Sequence, residues 1–206
     1  MNWGELIISA PAILFGLTIH EFSHGYAAFI LGDPTAKQSG RLTLNPLKHL
    51  DPLGTILLFL PWTRFGWAKP VPINPNNFKN PLRDLAISAL AGPISNFLVA
   101  IFAGIVARIL IAVGVNGFAW KLTSYFVIIN LILCFFNLIP LPLLDGSRLI
   151  YYLLPSGLAA RYGRLEQSNF LSLIVILVFG LPLFRMVVFP MVLTTARLLL
   201  GTGVWF

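Results

Sequence analysis

Apolar residues in this chain come in long blocks, not in the short periodic runs of a water-soluble core. The blocks cover residues 6–31, 85–115, 122–139 and 168–200. About 20 helical residues cross a hydrocarbon core of roughly 30 Å, so each of the first three predicts a spanning helix. The last block predicts two segments, 168–183 and 185–200, divided near Pro182 to Arg185. Gly32-Asp33-Pro34 ends the first helix, a turn around Asn116-Gly117 follows the second, and Pro140 and Pro142 stop the third. Pro93 lies inside the second block and predicts a break or kink there. The fold class is therefore an all-α polytopic membrane protein, with residues 1–206 forming one domain.

Residues 33–84 have a different texture, rich in Pro, Asn and Gly. The run Ser39 to Asn45 alternates polar and apolar residues and predicts a short hairpin strand. Leu53 to Trp62 is apolar but too short to span, which predicts a re-entrant or interfacial piece. Together, residues 39–62 are expected to form a membrane-associated loop.

Composition agrees. Of 206 residues, 57% are hydrophobic and 10% charged, against about 25% charged in a soluble domain. The net charge of +7 would suggest nucleic acid in a soluble protein. Here it is topological. Lys37, Arg41, Lys48, Arg64, Lys69, Lys79 and Arg83 lie in 33–84, and Arg148, Arg161 and Arg164 in 147–167. The turn between the second and third spans has only Lys121. Basic loops stay cytoplasmic, so the N-terminus is expected outside, in the cell membrane, with the lipid bilayer and not nucleic acid as partner. No basic region precedes the first apolar run, so no cleavable signal peptide is expected. The single cysteine, Cys134, excludes an intramolecular disulfide.

His20-Glu21-Phe22-Ser23-His24 carries the chemistry. Residues four apart share a helix face, so both imidazoles can bind one metal ion, and the glutamate beside them can serve as a general base. Two histidines and a glutamate within a membrane span are costly unless they have a function. Zinc suits imidazole and carboxylate, but a catalytic zinc takes three protein ligands. His49 is one candidate for the third, although its loop context favours a solvated or interfacial residue. Asp145 is the better candidate. His20 lies about 21 Å along the first span and Asn137 about 22 Å along the third, counted from the same side. Pro140, Pro142 and Gly146 would let the chain bend and bring Asp145 to that depth.

Three motifs then resemble a known family. HEFSH, Asn137-Leu-Ile-Pro-Leu-Pro-Leu-Leu-Asp-Gly146 and Leu90-Ala-Gly-Pro-Ile-Ser-Asn96 are similar, in order, to the HExxH, NxxPxPxLDG and AGPxxN stretches of site-2 proteases. The resemblance implies a three-helix catalytic core followed by C-terminal helices. It implies one zinc ion bound by His20, His24 and Asp145, Glu21 as base, and cleavage of transmembrane segments of other proteins. It makes Asn137 a candidate for contact with the substrate backbone or the developing oxyanion. Asn96 becomes a candidate for positioning a substrate strand or bridging helices. Some members carry a PDZ domain between the second and third spans. Only a turn fits here, so the chain resembles a minimal member in which substrate access depends on the spans, the loop or regulatory membrane partners. The segment 39–60 is similar in position to a membrane-associated hairpin of the family, which could present substrate as an added strand.

A second class of function is a non-proteolytic metal-binding scaffold or a transporter using the same polar cluster. A pure metal carrier has no need for Glu21, and the paired broken helices of a repeated transporter fold are not visible.

The basic loops generate a topological prediction. With Cys134 removed, cysteines introduced by Asn76→Cys and Ser156→Cys should resist an impermeant thiol reagent added outside intact cells and react after permeabilisation. Labelling of either from outside overturns the orientation.

Overall fold

The computed structural model describes residues 3–59, 66–166 and 168–201. Helices account for its regular structure, in the order α1 (Trp3–Ile30), α2 (Thr35–Gln38), α3 (Pro52–Phe59), α4 (Pro81–Ala112), α5 (Phe118–Asn137), α6 (Asp145–Leu153) and α7 (Ser156–Glu166). A C-terminal rod follows, built from α8 (Asn169–Val175), α9 (Leu181–Leu183) and α10 (Phe189–Leu200), joined by π-helical turns. Four helices are long and apolar enough to cross a membrane: Gly4–Ile30, Pro81–Ala112, Phe118–Asn137 and Phe170–Leu200. The protein is a multi-pass integral membrane protein of the all-α class.

The spanning helices α1, α4 and α5 begin before their apolar blocks because the local chain favours it. Pro81 sits in the first turn of α4, where a missing N–H leaves nothing unpaired. Gly117, at φ +82°, starts α5 directly after the turn. Helix α4 continues through Pro93 without the expected break.

Helix α4 is the structural centre and packs against α1, α5, α6 and α10. Helix association in lipid relies on close packing, so small residues mark its contact faces. Ala100, Ala103 and Ala107 are buried beside Val127 and Leu131 of α5 and Val192, Ala196 and Leu200 of α10. Arg108 clasps the far end of that contact. Its guanidinium donates to the carbonyls of Leu198 and Leu199 at 2.5 and 2.7 Å. These are among the last carbonyls of α10, which lack helical partners and carry the negative end of the dipole.

Two expectations are corrected. The C-terminal block is one continuous helical rod, not two segments. Pro182 removes a backbone donor, but π-helical turns at Ile176–Gly180 and Phe184–Val188 flank it. The wider turns absorb the proline instead of ending the helix. The expected strand at Ser39–Asn45 is also absent. Among the described residues the 33–84 segment has no strand, only an isolated antiparallel bridge between Leu50 and Ala68. Asn45 instead caps a 3-10 turn, its side chain accepting from the Leu47 N–H at 3.0 Å. Local side-chain bonding has displaced the ladder that alternation alone suggested. The apolar piece after it is helical over Pro52–Phe59, and residues 60–62 of the expected loop lie outside the described residues.

Asp33 ties the end of α1 to the far end of this segment. Its fully buried carboxylate accepts from Thr35 N at 3.1 Å, Thr35 Oγ1 at 2.5 Å, Asn74 N at 2.7 Å and Asn77 Nδ2 at 2.7 Å. Burial opposes ionisation, but these four donors outweigh it and hold the Asp33 pKa below its ordinary value. A depressed folded-state pKa stabilises the fold above the unfolded value of about 3.9 and stops doing so as pH falls through the folded value. Asp33→Ala should therefore lower the melting temperature in detergent at pH 7. Its deficit against wild type should narrow below about pH 4, read from paired thermal unfolding curves.

Candidate metal centre

The histidines of α1 face α4 because of what α4 offers them. His20 Nδ1 lies 2.6 Å from Asn96 Oδ1. The Asn96 Nδ2 group donates to Gly16 O at 3.0 Å and to Asn130 Oδ1 at 2.8 Å, which identifies its oxygen as the acceptor. Asn130 Nδ2 in turn donates to Phe126 O at 2.8 Å. His24 Nδ1 lies 2.8 Å from the Ser88 carbonyl, which can only accept. Both imidazoles must therefore carry their hydrogen on Nδ1 and present a bare Nε2 lone pair inward.

Those two lone pairs meet a carboxylate. Asp145 opens α6, reached through Leu138 to Leu144. In that turn Pro140 and Pro142 stop the helix and Leu143 takes φ +68°. The unusual backbone falls on Leu143, not on Gly146 as expected. Gly146 relieves crowding after Asp145, because a Cβ there would collide with the Leu138 and Ile139 carbonyl oxygens. The result places Asp145 Oδ2 3.1 Å from His20 Nε2 and 3.3 Å from His24 Nε2. The two Nε2 atoms are 3.0 Å apart.

Three electron-rich atoms thus converge with no hydrogen between the imidazole nitrogens. Asp145 Oδ2 is buried and has no hydrogen-bond partner. Such a cluster calls for a cation at its centre. Zinc bonds of about 2.0–2.1 Å in a tetrahedron put ligand atoms roughly 3.3 Å apart, close to the separations found. His20, His24 and Asp145 are a group that could hold a metal ion, and one tetrahedral position would stay open.

Glu21 stays outside that triangle. It is buried, lines the same cavity, and accepts a hydrogen bond from Val71 N at 2.8 Å through Oε2. The cavity has a volume of about 540 Å³. Its walls include Trp67, Val71, Phe136, Asn137, Leu143 and Arg148. Asn137 reaches it while donating from Nδ2 to Leu133 O at 2.9 Å. Asn96 does not line it. Fully buried between three helices, it bridges them and orients His20 rather than facing a substrate.

His49 is also corrected. It is buried rather than solvated, lies outside the metal-binding group, and its Nε2 lies 2.7 Å from Thr43 O. Sequence reading missed Asn130, Ser88 and Val71. Asn130 was detectable in principle as an amide within an apolar span. Ser88 and Val71 act through backbone atoms, which leave no residue-type signal.

Gly92 faces both rings. A Cβ at this position would come within 2.5 Å of His24 Nε2 and 2.8 Å of His20 Cε1. Gly92→Ala should displace both imidazoles and lower zinc content well below one ion per chain. Asp145→Ala should do the same, whereas His49→Ala should retain zinc. Metal analysis of the purified variants checks all three.

Comparisons with known proteins agree with this centre. The chain is 41% identical over 185 residues to "Putative zinc metalloprotease YwhC" of Bacillus subtilis, covering 87% of this chain and 83% of that protein. It is 27% identical over 178 residues to "Putative zinc metalloprotease Rip2" of Mycolicibacterium smegmatis, covering 85% of this chain and 68% of that one. No family model and no solved structure matches it. With this similarity spanning most of both chains and the three motifs in order, the chain belongs to the site-2 protease-like family of zinc metalloproteases.

Proposed function

We propose that this protein is an intramembrane endopeptidase of the site-2 type, hydrolysing peptide bonds within or near transmembrane segments of other membrane proteins, in regulated intramembrane proteolysis. The carrying observation is the inward-facing triangle of His20, His24 and Asp145 beside Glu21, set among helices long enough to cross a membrane. His20, His24 and Asp145 would hold a zinc ion, which would supply Lewis acidity, polarising a carbonyl and lowering the pKa of water so that it can be deprotonated for attack at neutral pH.

The chain's own residues do the remaining work. Asn96 and the Ser88 carbonyl keep both imidazoles in the tautomer and orientation that ligation requires. Asp145 adds a carboxylate, which offsets part of a divalent charge in a low-dielectric setting. Glu21, held clear of the triangle, takes the proton of the attacking water and passes it to the departing amine nitrogen. Asn137 offers its amide oxygen and second amide hydrogen to the substrate backbone at the cavity wall. The cavity of about 540 Å³ accepts an extended peptide segment, so a substrate helix must unwind before its bonds can be reached. The excess of Lys and Arg in 33–84 and 147–167 supports an orientation with the N-terminus outside and the water path on the cytoplasmic side of the cell membrane.

A metal-carrier reading gains nothing from Glu21, a carboxylate kept out of the ligand triangle. The test is cleavage of single-span peptides by purified protein with and without chelator. Chelator should abolish cleavage. Glu21→Gln should lower kcat by roughly a hundredfold or more while zinc content stays near one ion per chain. Normal turnover by Glu21→Gln removes the base assignment.

A further inference from the structure

The Glu21 carboxylate is held by a stretch of chain with unusual backbone chemistry. The sequence there is Lys69-Pro70-Val71-Pro72. Neither proline carries an N–H, so Val71 supplies the only backbone donor across residues 70–72. That lone donor sits 2.8 Å from Glu21 Oε2. Proline also restricts the residue before it to extended conformations, which stiffens both Lys69 and Val71.

The acceptors of the same stretch are engaged from the other side. The Arg41 guanidinium, itself buried, donates to Lys69 O at 2.6 Å and to Pro70 O at 3.3 Å. Lys69 N donates to His49 O at 2.8 Å, and Asn74 N, three residues beyond Val71, donates to Asp33 Oδ2 at 2.7 Å. The strap is therefore anchored before, at and after Val71. Its backbone N–H and C=O groups from Lys69 N to Val71 N all have partners within the protein, which leaves no free ladder there for an incoming strand.

We infer that the Val71 N–H is a built-in positioning device for Glu21: a single, stiffly mounted donor that fixes the direction of the carboxylate beside the metal centre. The inference rests on the protease reading above and deepens it. The Glu21 side chain has three rotatable bonds, and a general base works only when aimed at its proton. An amide donor to an ionised carboxylate is among the stronger protein hydrogen bonds, so its removal should be felt at the chemical step. It belongs to the backbone, so its loss can be separated from any change in the Val71 side chain, which lines the cavity.

Three variants at one position and one resonance separate these roles. Val71→Ala keeps the N–H while trimming the cavity wall, and it is the side-chain reference against which the loss of the N–H is read. Val71→Pro removes the N–H and should lower kcat about tenfold or more, with KM changed less than about threefold and zinc retained. Should Val71→Pro lose zinc or fail to fold, replacing Val71 by its α-hydroxy acid analogue exchanges the N–H for an ester oxygen with little change of shape and decides the matter. In full-length protein labelled with nitrogen-15 valine, the Val71 amide proton should resonate downfield and exchange slowly. It should lose both features in Glu21→Ala. Wild-type turnover by the proline or ester variant overturns the inference and leaves the protease reading intact. So does a Val71 amide that ignores Glu21→Ala. Wild-type protein that cleaves no peptide, with the amide still coupled to Glu21, overturns the protease reading and the positioning role with it, and leaves only a structural contact.

Discussion

An imidazole is tolerated inside a bilayer only when both of its nitrogens have partners, and the rest of the structure is arranged around that requirement. Each metal-facing Nε2 is defined by what its opposite nitrogen does. For His24 the partner is the backbone carbonyl of Ser88, and for His20 it is Asn96. Asn96 is itself held by Gly16 and Asn130, so one polar chain runs through α1, α4 and α5. A polar chain with every member satisfied fixes the rotation of all three helices, because turning any one of them strands a buried polar group.

The positions of small residues follow from this. Helix α4 must approach α1 closely enough for Asn96 and Ser88 to reach the histidines, and Gly92 lies where any larger residue would touch both rings. Further along the same helix, Ala100, Ala103 and Ala107 allow the approach of α5 and α10. Close packing supplies the attraction between helices that the hydrophobic effect cannot supply in lipid. The alanines that hold the bundle together and the glycine that admits the metal centre are thus parts of one contact surface.

The non-spanning segment between α1 and α4 plays a comparable part on the other side of the site. Among its described residues the regular structure is confined to α2, α3 and short 3-10 turns, and buried side chains bonding to backbone atoms tie the rest together. Arg41, Asp33 and Glu21 each hold one stretch of it. A strap fixed by side chains can carry prolines where a sheet could not, which is why Pro70 fits at the cavity wall.

Much of this was legible in the residues themselves. Long apolar blocks determine spanning helices, because a hydrocarbon core leaves the backbone no other partners, and three of the four appear with ends within a few residues of those expected. His20, Glu21 and His24 were legible because four-residue spacing puts two imidazoles on one helix face whatever else the chain does. Asp145 was legible through the proline-rich turn before it and through family resemblance. Other features depended on tertiary contact. Pro182 reads as a helix break, yet two π-helical turns carry the C-terminal rod past it, since local backbone geometry can absorb a missing donor. Ser39 to Asn45 alternates like a strand, but a strand needs a partner, and side chains such as Asn45 claimed the local backbone first. His49 reads as a solvated or interfacial loop residue and is buried, because burial is set by what folds over a residue and not by its neighbours in sequence. Composition cannot name Ser88 or Val71 as functional, since each contributes only a backbone atom. Which peptide group meets which side chain across 64 or 50 residues is decided only when the helices pack.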